Sequence, residues 1–105
     1  MANYLLIYHG GSMGATPEEQ EQKLAQWGEW MKQCGESLVD AGNPCADASS
    51  VTSAGSEPYS GNERVTGYSV ISAPDMEAAQ MAALMVPLVV DGSGSVDVYE
   101  TFNAM

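Results

Sequence analysis

The chain has 105 residues, with 3 basic and 14 acidic side chains and a formal net charge of −11. At roughly 100–200 residues per domain, that length holds one domain, residues 1–105, and leaves no room for a second. Three cations make no basic patch, which argues against nucleic-acid binding by phosphate neutralisation and against attraction to anionic lipid.

Leu, Ile, Val and Phe supply only 18 residues, less than about 20% of the chain, a composition that borders on disorder at this charge. Thirteen Ala, seven Met, five Tyr, two Trp and two Cys bring the apolar fraction to 45%, enough for a thin core that burial against a second copy would strengthen. The longest apolar stretch, residues 78–90, contains Gln80 and Pro87 and falls short of the roughly 20 residues that span a bilayer. The first residues lack a basic flank followed by an apolar run, so no signal peptide is expected. Cys34 and Cys45 have no metal-type spacing, and read as thiols of a reducing cytoplasm.

Residues 3–9, NYLLIYH, form an apolar and aromatic run that suits a strand. Both alternating sets are apolar, Tyr4, Leu6 and Tyr8 on one side and Leu5 and Ile7 on the other, so both faces should be covered. A glycine-rich turn, residues 10–15, precedes Thr16-Pro17-Glu18-Glu19, which combines an N-cap, a first-position proline and a capping-box glutamate. Leu24, Trp27, Met31, Cys34 and Leu38 recur every three or four residues, which predicts a helix over 17–41 with Gly42 just beyond its end. Gly28 and Gly35 lie seven apart on one of its faces. Ser50-Val51-Thr52 predicts an edge strand within 45–53, and the turn-rich residues 54–63 predict a long exposed hairpin loop. Residues 66–73 alternate at Tyr68, Val70 and Ser72 and read as a strand. Asp75 is placed as the N-cap of a second helix that Pro87 should end, and residues 95–101 as a closing strand.

The order β-α-β-β-α-β is that of the ferredoxin-like split arrangement, an α+β fold whose four-stranded antiparallel sheet carries both helices on one face. The two-sided first strand, with Val96 and Val98, predicts an apolar bare face of the kind that marks an interface. The expected state is a homodimer packed sheet to sheet.

The chain resembles the YCII-related family along nearly its whole length. The resemblance is carried by Tyr8-His9-Gly10-Gly11, Thr16-Pro17-Glu18-Glu19, Trp27-Gly28-x-Trp30, Gly42-Asn43-Pro44, Gly67-Tyr68-Ser69-Val70-Ile71, Pro87-Leu88 and Gly94-Ser95-Val96-Asp97-Val98. It implies a ferredoxin-like fold paired into a dimeric α+β barrel. Of the Asp-Gly-Pro-Phe segment of many relatives only Pro58-Tyr59 remains, at different spacing.

His9 is the one side chain here that ordinarily titrates near neutrality, at a strand end beside a glycine turn, where functional groups often stand. The proposed topology brings Tyr68, Asp91, Ser95 and Asp97 within its reach. A His9 base oriented by Asp91 or Asp97 could transfer protons in lyase- or isomerase-type chemistry. The alternative is a histidine satisfied by backbone, in a non-catalytic ligand-binding or accessory protein. Gly10, Gly11 and Ser12, with Tyr68 and Ser95, are candidates to bind the ligand; the glycine turn precedes a helix N-terminus, suited to an anion, but lacks the lysine of a nucleotide loop. Trp27 belongs to the apolar stripe, whereas Trp30 lies off it and is a candidate to line a cleft for a small organic molecule. One histidine without a neighbouring carboxylate in sequence makes no metal set, and no cofactor is expected.

Overall fold

Nine residues with apolar side chains on both alternating sets do form a strand. In the computed structural model, β1 covers Ala2–Gly10 and turns Tyr4, Leu6 and Tyr8 into the core. The structure describes residues 1–12 and 14–103; Met13, in the glycine-rich turn, lies outside them, as do residues 104 and 105.

Helix α1, Pro17–Cys34, starts as its capping signals require: the Thr16 side chain accepts from the Glu19 N–H at 3.2 Å. It ends seven residues sooner than the apolar stripe implies. Gly35 closes it with φ +54°, a left-handed value that glycine adopts without strain, and its N–H returns to the Met31 carbonyl. A single 3₁₀ turn, Gly35–Ser37, then leads into a short strand β2, Leu38–Asp40. Leu38 is thus a sheet residue rather than the last member of a helical stripe. The buried stripe of α1 is also rotated, since Leu24 is exposed while Trp30 is sealed.

The segment expected as an edge strand stands apart from the main sheet. β3, Ser49–Thr52, pairs with β4, Gly55–Pro58, in a separate two-stranded hairpin that takes up part of the expected loop. The chain returns to the sheet in β5, Val65–Ala73. Helix α2, Met76–Leu84, has Asp75 as its N-cap, the carboxylate accepting from the Ala78 N–H at 2.8 Å. Pro87 does not end this helix; it opens a further turn, α3, Pro87–Val90, where its fixed φ suits the first position. β6, Gly94–Glu100, closes the chain.

The main sheet has the order β2-β5-β1-β6, and every described pairing in it is antiparallel. The result is an α+β arrangement with a four-stranded antiparallel sheet, compatible with the ferredoxin-like expectation. Tyr4, Leu6, Tyr8, Ile71 and Ala73 form one core with Trp30 of α1, Ala79 and Ala83 of α2, and Leu88 of α3. Val96 and Val98 lie opposite Tyr8 and Leu6 and pack against this core, so they belong to the helix side and not to the bare face. The bare face is instead built of Leu5, Ile7 and His9 on β1, Tyr68 and Val70 on β5, and Ser95, Asp97 and Tyr99 on β6. Among the described residues, no helix is long and apolar enough to cross a membrane. Cys34 and Cys45 are both free thiols.

Candidate functional site

The alternation that sends Tyr8 inward sends His9 to the bare face. Across β1 this face is arranged in rows: Val65, His9 and Ser95; then Tyr68, Ile7 and Asp97; then Val70, Leu5 and Tyr99. His9 and Asp97 are therefore diagonal cross-strand neighbours, a spacing that long side chains bridge. They do so here. His9 Nε2 lies 2.9 Å from Asp97 Oδ2, with the imidazole 19% and the carboxylate 54% exposed.

The second ring nitrogen has its own neighbour. His9 Nδ1 lies 3.3 Å from the backbone carbonyl of Arg64. A carboxylate and a carbonyl both accept only, so an imidazolium satisfies both contacts and a neutral ring one at a time. The carbonyl is brought there by a register shift: Tyr8 faces Gly67, but His9 faces Val65, leaving Thr66 unopposed. Thr66 Oγ1 stands 2.9 Å from the Gly10 carbonyl and 3.2 Å from that of Tyr8, sharing its one proton between them. Bulges of this kind re-aim side chains beside functional sites.

Three of the expected neighbours share this face with His9: Ser95 directly opposite, and Tyr68 and Asp97 one row away. Asp91 does not. It lies after α3 and accepts from the Lys23 ammonium of α1 and, at 2.8 Å, from the Ser93 N–H. The Lys23 ammonium, with Ser93, holds its carboxyl down to about 2. Asp97 is thus the carboxylate partner of His9, and Asp91 is a tie between helix layer and loop.

Gly10 and Gly11 both have positive φ, and a Cβ on Gly10 would stand 2.8 Å from the Ser93 carbonyl. The turn is closed by the chain itself. The Gly11 N–H donates to that same carbonyl at 2.9 Å, Ser12 Oγ accepts from the Gly14 N–H, and the Glu19 carboxylate takes the Ala15 N–H. A glutamate thereby occupies the place an anion would take.

Trp30 lies on the other side of the sheet. It is buried, its Nε1–H donates to the Ala82 carbonyl at 3.0 Å, and it meets Trp27 edge-on at 6.1 Å. Trp27, expected in the core, is only half-buried and packs edge-on against Tyr8. Trp30 does line a cleft of about 390 Å³ with Cys34, Ile71, Ala78, Ala82 and Met85, between the helices and the end of β5. Burial pushes the Cys34 thiol up. This cleft is separated from His9 by the sheet.

Sequence reasoning missed a buried polar relay. The Tyr8 hydroxyl donates to Ser69 Oγ at 2.7 Å, and Ser69 Oγ donates to the Ala41 carbonyl at 2.8 Å. Burial pushes the Tyr8 phenol up to about 12, against the opposite pull of the Ser69 bond. The available signal was Ser69 in an inward register between Gly67 and Ile71. No group of three or more His, Cys, Asp or Glu that could hold a metal ion occurs among the described residues. No protein-family model and no curated protein matches the chain.

Proposed function

We propose that the protein is a cytoplasmic homodimer of ferredoxin-like, YCII-type chains whose facing sheets enclose a small organic molecule beside His9. The observation that carries the chemistry is the 2.9 Å contact between His9 Nε2 and Asp97 Oδ2. With Asp97 accepting from Nε2–H, the proton-accepting lone pair is on Nδ1. An imidazolium formed there is stabilised by the same carboxylate, which is the division of labour a general base needs. Tyr68 and Ser95 add hydroxyls on the same face for orienting a polar substrate.

The dimer has quantitative support. The chain exposes 7273 Å², against about 5,700 Å² for a compact monomer of 11.1 kDa. The excess, about 1,600 Å² per chain, reflects a thin and extended shape that leaves surface for a partner to cover. Half-buried Leu5, Ile7, Tyr68 and Val70 supply the apolar part of the face that would be covered.

A second reading has an observation of its own. The Arg64 carbonyl stands 3.3 Å from Nδ1, where the base would take its proton. Held between two acceptors, His9 would be a structural tie in a non-catalytic ligand-binding or accessory protein.

Thermal-shift screening of small organic acids and carbonyl compounds separates the two. On the first reading, some compounds stabilise the wild type and not His9→Ala, and any turnover found falls about 10²–10⁴-fold in that variant. Equal responses in both proteins would leave the non-catalytic reading.

A further inference from the structure

We propose that the groove between α1 and α2 binds a basic amphipathic helix of another protein. The groove lies across the sheet from His9 and does not depend on the function proposed there.

The groove follows from how the helices sit on the sheet. α1 approaches α3 but stands off from α2. Across that gap the Trp30 indole reaches the Ala82 carbonyl, and two adjoining hollows share Trp30, Gln33 and Met85 in their walls. The first, of about 390 Å³, runs toward the end of β5. The second, of about 280 Å³, runs toward α3 and adds Glu29, Pro87 and Val90. Both are open to solvent, and together they follow α2 and α3 from Ala78 to Val90.

The apolar walls are uncovered. Met85 is 56% exposed and Val90 67%, and Met81, one turn before Met85, is exposed on the same side of α2. A continuous apolar patch of this kind marks an interaction surface. Methionine suits it, because its flexible and polarizable side chain moulds itself to the apolar face of a docked helix.

Charge selects the partner. Glu29 stands in the wall of the second hollow, and Glu18 falls on the same edge of α1 about three turns earlier. On α2, Glu77 precedes Met81 by one turn. Among the described residues, no Lys or Arg lines either hollow. Lys23 is drawn to Asp91, Lys32 is two residues on from Trp30 and so on the far side of α1, and Arg64 is bonded to the Ala46 carbonyl. An apolar floor with an acidic rim complements an apolar stripe flanked by Lys and Arg. A second copy of this chain supplies no such helix: Glu outnumbers Lys in α1, and α2 has no basic residue. Small ligands favour enclosed pockets that bury most of their surface, whereas two open hollows in line suit apolar side chains on successive turns.

The probe is a synthetic peptide of Leu and Lys, about 16 residues or about 24 Å of helix, with Leu at i, i+3, i+4 and i+7. Calorimetric titration of the full chain in low salt should give a dissociation constant of about 1–10 µM, and circular dichroism a gain of helix. Met85→Gln with Val90→Gln should weaken binding about tenfold. Both side chains are exposed and the change is neutral, so fold and net charge are kept. Glu29→Gln should weaken it about threefold. His9→Ala should bind as wild type does; weaker binding there would place the peptide on the wrong face and overturn the proposal. No binding at about 1 mM peptide overturns it. So does equal affinity for a scrambled peptide of the same composition, which is bulk charge attraction, or an unaffected Met85 and Val90 variant. Dodecylamine binding in a groove that refuses the peptide would assign it to a small amphiphile instead.

Discussion

The two faces of β1 differ more than any other two regions of the molecule. Tyr4, Leu6 and Tyr8 meet three helices and are at most 5% exposed, whereas Leu5, Ile7 and His9, one residue out of phase, have no helix over them. The closed face is complete within one chain. The open face carries the His9–Asp97 pair, Tyr68 and Ser95, so the candidate chemistry stands where the single chain is least finished. A strand apolar on both sides is thus asking for two covers, and this chain supplies one.

The largest expected effect tests that asymmetry directly. Leu6→Ala removes a fully sealed side chain and should cost about 2–5 kcal/mol. Ile7→Ala, its neighbour on the open face, should cost less than about half as much when the chains are dilute and separate. Denaturant unfolding at low concentration compares them. Equal losses would mean that something in the single chain already covers Ile7.

A smaller effect sharpens the picture of the closed face. Ser69→Ala leaves the Tyr8 hydroxyl and the Ala41 carbonyl without their buried partner, which should cost about 1–3 kcal/mol. Tyr8→Phe leaves Ser69 still bonded to Ala41 and should cost only about 1 kcal/mol at neutral pH. The two also differ in alkali. Because the Tyr8 phenol is pushed up to about 12 in the fold and titrates near 10 when unfolded, its contribution is complete below pH 10. It is lost as pH rises from 10 through 12. Tyr8→Phe should therefore lose less stability than wild type across that window, as read by denaturant midpoints; matching slopes would show that Tyr8 is not sealed.

Most of the closed face was legible in the sequence. The Thr16 and Asp75 caps, the two-sided β1 and the alternation of β5 each follow from local chemistry. The differences at Leu38, Trp27, Trp30, Val96 and Val98 share one origin: an apolar residue fits, on paper, a periodicity that it does not serve in the fold. Leu38 extends the helical stripe on paper, but Gly35 reaches a left-handed φ and ends the helix three residues earlier. Trp27, Trp30, Met31 and Cys34 fit the i, i+3, i+4, i+7 pattern better than a stripe through Leu24, and they are the residues that face inward. Val96 and Val98 went to the core because β6 has no better residues to bury, which turned Asp97 outward toward His9. That pair was legible only as a possibility. Choosing Asp97 over Asp91 needed the cross-strand register, and finding Arg64 at Nδ1 needed the bulge at Thr66, neither of which periodicity encodes.

The smallest effect concerns the carboxylate that was passed over. Asp91 ties the loop after α3 to Lys23 of α1 on the helix side, and the ammonium with Ser93 holds it down to about 2 from an ordinary 3.8. A depressed carboxyl stabilises the fold above its unfolded value, and that stabilisation is lost as pH falls from about 4 toward 2. Lys23→Gln removes the chief cause, so its stability should fall less steeply than wild type over that interval. The two should differ most at neutral pH and converge near pH 2. Both groups touch solvent, so half-molar salt should narrow the neutral-pH difference. Denaturant midpoints at several pH values decide it: curves that run parallel from pH 4 to pH 2 would show that the tie is screened away. His9→Ala, made on the opposite face, should leave the Lys23-dependent part of the acid limb unchanged, because the sheet stands between the two pairs and they share no partner.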